Sequence, residues 1–209
     1  MAGVWERSEK RSRVNTRPRL LDAAYDAFTE QGFHAATVED ICRRAGFTRG
    51  AFYSNFSSLD ELFFALWSRE ADGIVETVRL LTESIRGNPE DLDAHLGALA
   101  SPGAYDRRWF ILNTEFLIHA LRNPDVRQRL AEHRAWLRAE LAETVVAVLD
   151  ISRRSVPESI DVETFTRLIL AIFEGTQHQS LVEADALGEG VLERAAIRVF
   201  LEEVAQPKR

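Results

Sequence analysis

Twenty residues near the amino end, Thr37 to Phe56 (TVEDICRRAGFTRGAFYSNF), constrain the fold more than any other stretch. They read as two short helices joined by a tight turn. Thr37 is placed to cap the first helix, with Asp40 three residues on as an acidic variant of the capping box. Val38, Ile41, Cys42 and Ala45 recur at helical spacing and define one buried face. Gly46 follows, where positive φ is cheapest. Thr48 caps the second helix, whose apolar positions are Phe52 and Phe56. Counted from Val38, a small residue stands fifth (Cys42), glycine ninth (Gly46) and a large apolar residue fifteenth (Phe52). The small side chain lets two helices cross closely, the glycine makes the turn, and Phe52 plugs the angle. That is the spacing of a helix-turn-helix.

With its flanks the stretch reads TRPRLLDAAYDAFTEQGFHAATVEDICRRAGFTRGAFYSNFSSLDELF. It resembles the N-terminal domain of TetR-type transcriptional regulators, through about Trp67. The matching pieces are an Arg-containing start to helix 1, LLDAAYDAF, the QGF turn, ATVEDI, AGF, TRGAFYSNF and an acidic start to helix 4. The resemblance implies an all-α protein: a three-helix N-terminal helix-turn-helix domain, then a larger helical ligand-binding and dimerisation bundle, about nine helices in total.

Composition agrees with a mostly helical chain of 209 residues, 45% of them hydrophobic, with only 11 Gly and 6 Pro. A single Cys excludes an intramolecular disulfide and fits a reducing, cytoplasmic setting. The start, MAGVWERSEKRSRVNTRPRL, lacks the apolar segment of a signal peptide, and no run approaches the roughly 18 apolar residues of a membrane span. The net charge of −7 is unevenly spread: residues 1–60 hold 9 basic and 8 acidic residues, a net of +1, and the remainder carries −8. Local field, not total charge, decides attraction to phosphate.

The polar residues 1–15 predict a flexible arm whose Arg7, Lys10, Arg11 and Arg13 suit a minor groove. Residues 16–60 form the helix-turn-helix domain, and residues 61–209 the effector-binding and dimerisation domain. Helix 1 is expected from about Thr16 to Gln31, with Pro18 in its first turn and Gly32 as its stop. A long helix follows from Leu59 to about Ile85. Further helices are expected at Pro89–Ala100, Tyr105–Arg122, Asp125–Leu149, Asp161–Ala186 and Val191–Ala205, with Ser152–Pro157 as a loop.

The second helix of such a motif enters the major groove with its N-terminal half. Its outward residues here are Thr48, Arg49, Gly50, Ala51, Tyr53, Ser54 and Asn55. Arg49 is their single cation and suits a bidentate contact to guanine; Asn55 suits adenine or a phosphate, and Ala51 a thymine methyl. The family resemblance implies phosphate contacts for Tyr53 and Thr37. Arg43 and Arg44 either offset the dipole of the first helix or contact phosphate, Arg44 being the better placed. The family usually reads F-x-S-K at the start of helix 4, its Lys on a phosphate. Here the stretch is Phe56-Ser57-Ser58-Leu59, so the basic arm compensates or binding is weaker.

No stretch carries a catalytic constellation, a cofactor signature or metal-ligand spacing. His34, His95, His119, His133 and His178 are isolated in sequence, and Cys42 reads as core. The later helices hold Trp109, Phe110, Phe116 and Trp136 among polar Asn113, Thr114, Glu115 and His119. These are either bundle core or an apolar cavity with a few polar anchors, the usual design of a small-ligand pocket. The pocket reading assigns Trp67, Phe110, Asn113, Thr114, Phe116, Leu117, Trp136, Phe173 and Gln177 to a hydrophobic or aromatic effector.

The helix from Asp161 is apolar almost all round and must be buried on more than one side. With the last helix it suits a four-helix interface with a second copy. Phe165, Leu168, Ile169, Ile172, Gly175, Thr176, Ala195 and Val199 are the expected interface residues. The sequence therefore predicts a homodimeric, ligand-responsive regulator, most simply a repressor. Its partners would be near-palindromic double-stranded operator DNA and a small effector, with no cofactor and no membrane. The alternative is an all-α small-molecule carrier or enzyme with a vestigial helix-turn-helix head.

Overall fold

A computed structural model describes residues 3–87, 106–183 and 190–207, with side chains from Thr16 onward except that of Gln206. Eight α-helices stand among the described residues: α1 Gly3–Gln31, α2 Val38–Ala45, α3 Arg49–Tyr53, α4 Leu59–Gly87, α5 Arg107–Arg122, α6 Pro124–Ile151, α7 Val162–Val182 and α8 Val191–Val199. α8 continues as a π-helical turn, Phe200–Val204. The helix expected at Pro89–Ala100 lies outside the described residues. So does the end expected for α7 beyond Glu183.

α1 corrects the expected boundary. Its backbone is helical from Gly3, through the residues read as a flexible arm, and Pro18 lies in its interior rather than in its first turn. Proline there lacks the N–H that would reach the Val14 carbonyl. The residues before it include Glu6, Arg7, Glu9, Lys10, Arg11 and Arg13, all good helix formers. They carry no apolar period, which is why this extension is not legible in the sequence.

The chain divides into two compact units, 1–70 with 108–130, and 71–107 with 131–209. In the first, α1 buries Leu20, Ala24, Ala27 and Phe28, while α2 and α3 bury Ile41, Cys42, Ala45 and Phe52. The first turns of α4 add Leu62, Phe63 and Leu66, and α5 adds Leu112, Phe116 and Ala120. Phe63 and Phe116 stack face to face with centroids 3.6 Å apart, and Phe33 meets both rings edge-on. Phe116, read as pocket lining, is fully buried in this stack.

Two polar anchors tie α5 into this unit. Phe33 N–H donates to Glu115 Oε2 at 2.9 Å, and His119 Nε2 lies 3.1 Å from Asp60 Oδ1 in the first turn of α4. His34 and His119, isolated in sequence, are ring neighbours with centroids 5.2 Å apart.

In the second unit Leu149, Phe165, Ile197, Phe200, Leu201 and Ala205 form one core, with Ile169, Ile172 and Phe173 packed against it. Asp161 caps α7 by accepting Thr164 N–H at 2.7 Å, which holds its carboxyl below the usual range. Within the expected loop, Arg154–Ser155 pairs antiparallel with Gln206–Pro207. The Arg154 guanidinium donates to the carbonyls of Glu202 and Ala205 at 2.8 and 2.9 Å, supplying donors that the end of the last helix lacks.

Candidate nucleic-acid interface

The α2–α3 turn is built from its own side chains. Thr37 Oγ1 accepts Asp40 N–H and Thr48 Oγ1 accepts Ala51 N–H, each at 3.2 Å, so both helices start on the expected caps. Gly46 sits at φ 71°, ψ 34°, where its N–H meets the Arg43 carbonyl and Phe47 N–H meets that of Cys42. Arg19 donates to the Ala45 carbonyl at 2.9 Å and lies over the Phe47 ring, bracing the turn from α1. Cys42 is buried beneath, and burial pushes its thiol pKa up.

Around fully buried Phe52, α3 turns Thr48, Arg49, Gly50, Tyr53 and Ser54 to solvent, with Ala51 and Asn55 half-buried. Asn55 Nδ2 donates to the Ala51 carbonyl at 2.8 Å, and Ser54 Oγ donates to the same carbonyl at 2.9 Å. Both donors are therefore spent on their own helix in this state. That leaves Arg49 and Tyr53 as the large side chains of the exposed face.

The Arg49 guanidinium is not alone there. It lies 5.8 Å from the Tyr53 ring centre and forms an ion pair with Glu39, in the first turn of α2. Hydrogen bonding to Tyr53 and the Glu39 charge raise its pKa. Sequence reasoning passed over Glu39, an acidic residue in the first turn of α2. Its ten-residue separation from Arg49 carried no sign of the pairing.

Arg44, read as offsetting the helix dipole or contacting phosphate, is held by two carboxylates. Its Nε donates to Asp40 at 2.8 Å and its Nη1 to Glu30 at 2.7 Å, linking α2 to the end of α1. Asp40 also accepts from Gln31 at 2.6 Å and pairs with Arg43. At the start of α4, Ser58 Oγ accepts Glu61 N–H at 3.1 Å, and Glu61 accepts both Ser57 N–H and Ser57 Oγ. Leu59, where the family carries Lys, is half-buried in this capped turn. Arg17 lies over the Phe56 ring, 4.6 Å from its centre.

Of the residues assigned to an effector, Trp67, Phe110, Asn113, Thr114, Phe116 and Leu117 belong to the first unit. Trp67 Nε1 donates to Asn113 Oδ1 at 3.2 Å, and Thr114 Oγ1 to the Phe110 carbonyl in its own helix. Trp136, Phe173 and Gln177 belong to the second unit, Trp136 being exposed and Phe173 packed against the core there.

Of the residues assigned to a dimer face, Phe165 is fully buried in its own protomer, and Ile169 and Ile172 pack on the same core. Thr176 is buried and donates to the Phe173 carbonyl. The apolar character of α7 on this side serves the protomer. Leu168 is 41% exposed and Val199 58%, and Ala171, Val182, Val191 and Ala195 are exposed as well. A Cβ at Gly175 would meet nothing within 4 Å. Among the described residues no helix is long and apolar enough to cross a membrane.

Comparison with known proteins places these features. Residues 20–66 match the family model described as bacterial regulatory proteins, tetR family, and residues 89–206 match the BetI-type transcriptional repressor C-terminal model. The transcriptional activator FasR of Mycolicibacterium smegmatis is 35% identical over 97 residues, 46% of this chain and 44% of that protein. The transcriptional repressor AcnR of Corynebacterium efficiens is 31% identical over 126 residues, 59% of this chain and 61% of that protein. The chain thus spans about half the length of these two relatives. SmeT, the repressor of the Stenotrophomonas maltophilia multidrug efflux pump SmeDEF, superposes with a TM-score of 0.61 at 25% identity, covering 91% of each chain. With matching sequence over both its amino-terminal head and its carboxyl-terminal bundle, the chain belongs to the TetR family of bacterial regulatory proteins.

Proposed function

We propose that this protein is a homodimeric transcriptional repressor that binds near-palindromic operator DNA and leaves it when a small hydrophobic or aromatic effector binds. The observation that carries the reading is the face of α3. Arg49, Tyr53 and Thr48 stand exposed on a helix whose caps, turn glycine and buried Phe52 are all in place. A head assembled this completely speaks against a vestigial domain on a carrier or enzyme. The names of AcnR and SmeT, and of the carboxyl-terminal family model, favour repression; that of FasR is the counter-example.

The exposed apolar residues of α7 and α8, with open space at Gly175, support pairing with a second copy. Two heads would then engage two half-sites. An effector releases DNA only by binding the non-matching spacing of the heads more tightly.

The test is selection of bound duplexes from a random pool, repeated with candidate hydrophobic effectors. A two-fold repeat should emerge. A dimer neutralising about eight phosphates should show a log–log salt slope near −7. Affinity that ignores both salt and Arg49→Ala refutes the reading.

A further inference from the structure

We propose that Glu39 and Arg49 act as one composite reading element, Arg49 addressing a guanine and Glu39 a cytosine amino group in a neighbouring base pair. The inference rests on the reading of α3 as the groove-entering helix and adds a residue from α2 to the recognition surface.

The geometry assembles two chemically complementary groups at one point. Glu39 lies in the first turn of α2, Arg49 is the first residue of α3, and the α2–α3 turn brings their side chains into contact. Both stay open to solvent, at 59% and 58% exposure. Only Oε1 of Glu39 holds the guanidinium. A guanidinium has five N–H donors and a carboxylate two acceptor oxygens, so the pair keeps donors and an acceptor for a further partner. In the major groove guanine offers the N7 and O6 acceptors, and cytosine the N4 donor. A side-by-side donor fork and carboxylate matches that edge, the fork on the two acceptors of guanine and the carboxylate on the amino donor of cytosine.

Charge supports the same assignment. An exposed carboxylate on a DNA-facing surface repels phosphate. Here it is neutralised by Arg49, so the pair adds nothing net to phosphate attraction. What it adds is discrimination. Tyr53, under the guanidinium, limits its alternatives to the direction set by Glu39. The Arg49–Glu39 contact also blocks a loose Arg49–phosphate bond on non-cognate DNA, because that bond would leave the carboxylate uncompensated.

The experiment compares the full-length protein with Glu39→Gln and Arg49→Ala in random-pool selection, followed by binding to single-base variants of the selected site. Wild type should enrich a half-site with guanine and, in an adjacent pair, cytosine. Glu39→Gln should lose the cytosine preference, about 5- to 100-fold in relative affinity, keep the guanine, and bind random duplex more tightly. Arg49→Ala should lose the guanine preference while the salt slope stays within about one of wild type. Unchanged melting curves for Glu39→Gln show that the head is intact. If wild type selects a site and Glu39→Gln selects the same one with the same cytosine preference, the composite reader is refuted. If wild type selects nothing, the reading of α3 itself fails.

Discussion

Removing the Glu115 carboxylate should loosen the turn between α1 and α2 although Glu115 lies 82 residues away in sequence. Phe33 is 5% exposed, and its N–H has Glu115 Oε2 as acceptor at 2.9 Å. Hydrogen bonds to charged groups are worth about 1.5–3 kcal/mol, and an orphaned buried N–H costs about 1–3 kcal/mol. Glu115→Ala should therefore destabilise by about 2 kcal/mol, which in a chain of this size lowers the melting midpoint by roughly 4–8 °C. Glu115→Gln keeps an uncharged acceptor and should lose less.

Gly32 makes the argument separable from generic loss of packing. It sits at φ +85°, and a Cβ there would come within 3.1 Å of the same Oε2. Gly32→Ala should cost about 1–2 kcal/mol in backbone strain alone, plus displacement of the carboxylate. Once Glu115 is Ala, the displacement part vanishes, so the double variant should be less destabilised than the sum of the singles. Melting curves of the four proteins give the cycle, and amide exchange at Phe33 reports the bond directly. Strict additivity, with Phe33 exchange unchanged in Glu115→Ala, would show that the carboxylate does not hold the turn.

Gly175→Leu should leave the protomer folded, since its Cβ meets open space, yet shift sedimentation toward the monomer; a dimer as tight as wild type would remove α7 from the interface. Asp40 is held below its ordinary pKa chiefly by Arg44, with Gln31 and Arg43 helping. Its stabilising effect is thus full above the unfolded value near 4 and lost as pH falls through the folded value. Asp40→Asn should melt lower than wild type at neutral pH, and the gap should close as the pH falls below the ordinary carboxylate range; a constant gap would deny the linkage.

The local grammar of the head was readable because each signal acts over a few residues. Thr37, Thr48, Gly46, Gly32, Phe52 and Phe56 all do in space what their spacing foretold. What stayed hidden was set by long-range partners. Nothing near Phe33 in sequence names Glu115, and nothing near Asp60 names His119. Apolar residues all round α7 foretold burial on several sides but not which side meets the protomer's own core, where Phe165 lies fully buried. Arg49 was legible as the outward cation of its helix, but its ten-residue spacing from Glu39 follows no helical period; only the closed turn makes them a pair.

That pairing pattern separates two arginines that composition treats alike. Arg44 is held by Glu30 and Asp40, carboxylates on different helices, and the same Asp40 ties down Gln31 and Arg43. Arg49 has one carboxylate partner, itself exposed, and keeps guanidinium donors open to a guanine while Glu39 stays in place. DNA should therefore recruit Arg49 and leave Arg44 as a strut between α1 and α2. Arg44→Ala then lowers the melting midpoint, while the salt slope of operator binding stays at its wild-type value. Were Arg44 a phosphate contact, each copy would lose about 0.9 from that slope, close to 2 for a dimer. A fall of that size with an unchanged melting curve would reverse the assignment, making Arg44 the DNA contact and its two carboxylates a resting place.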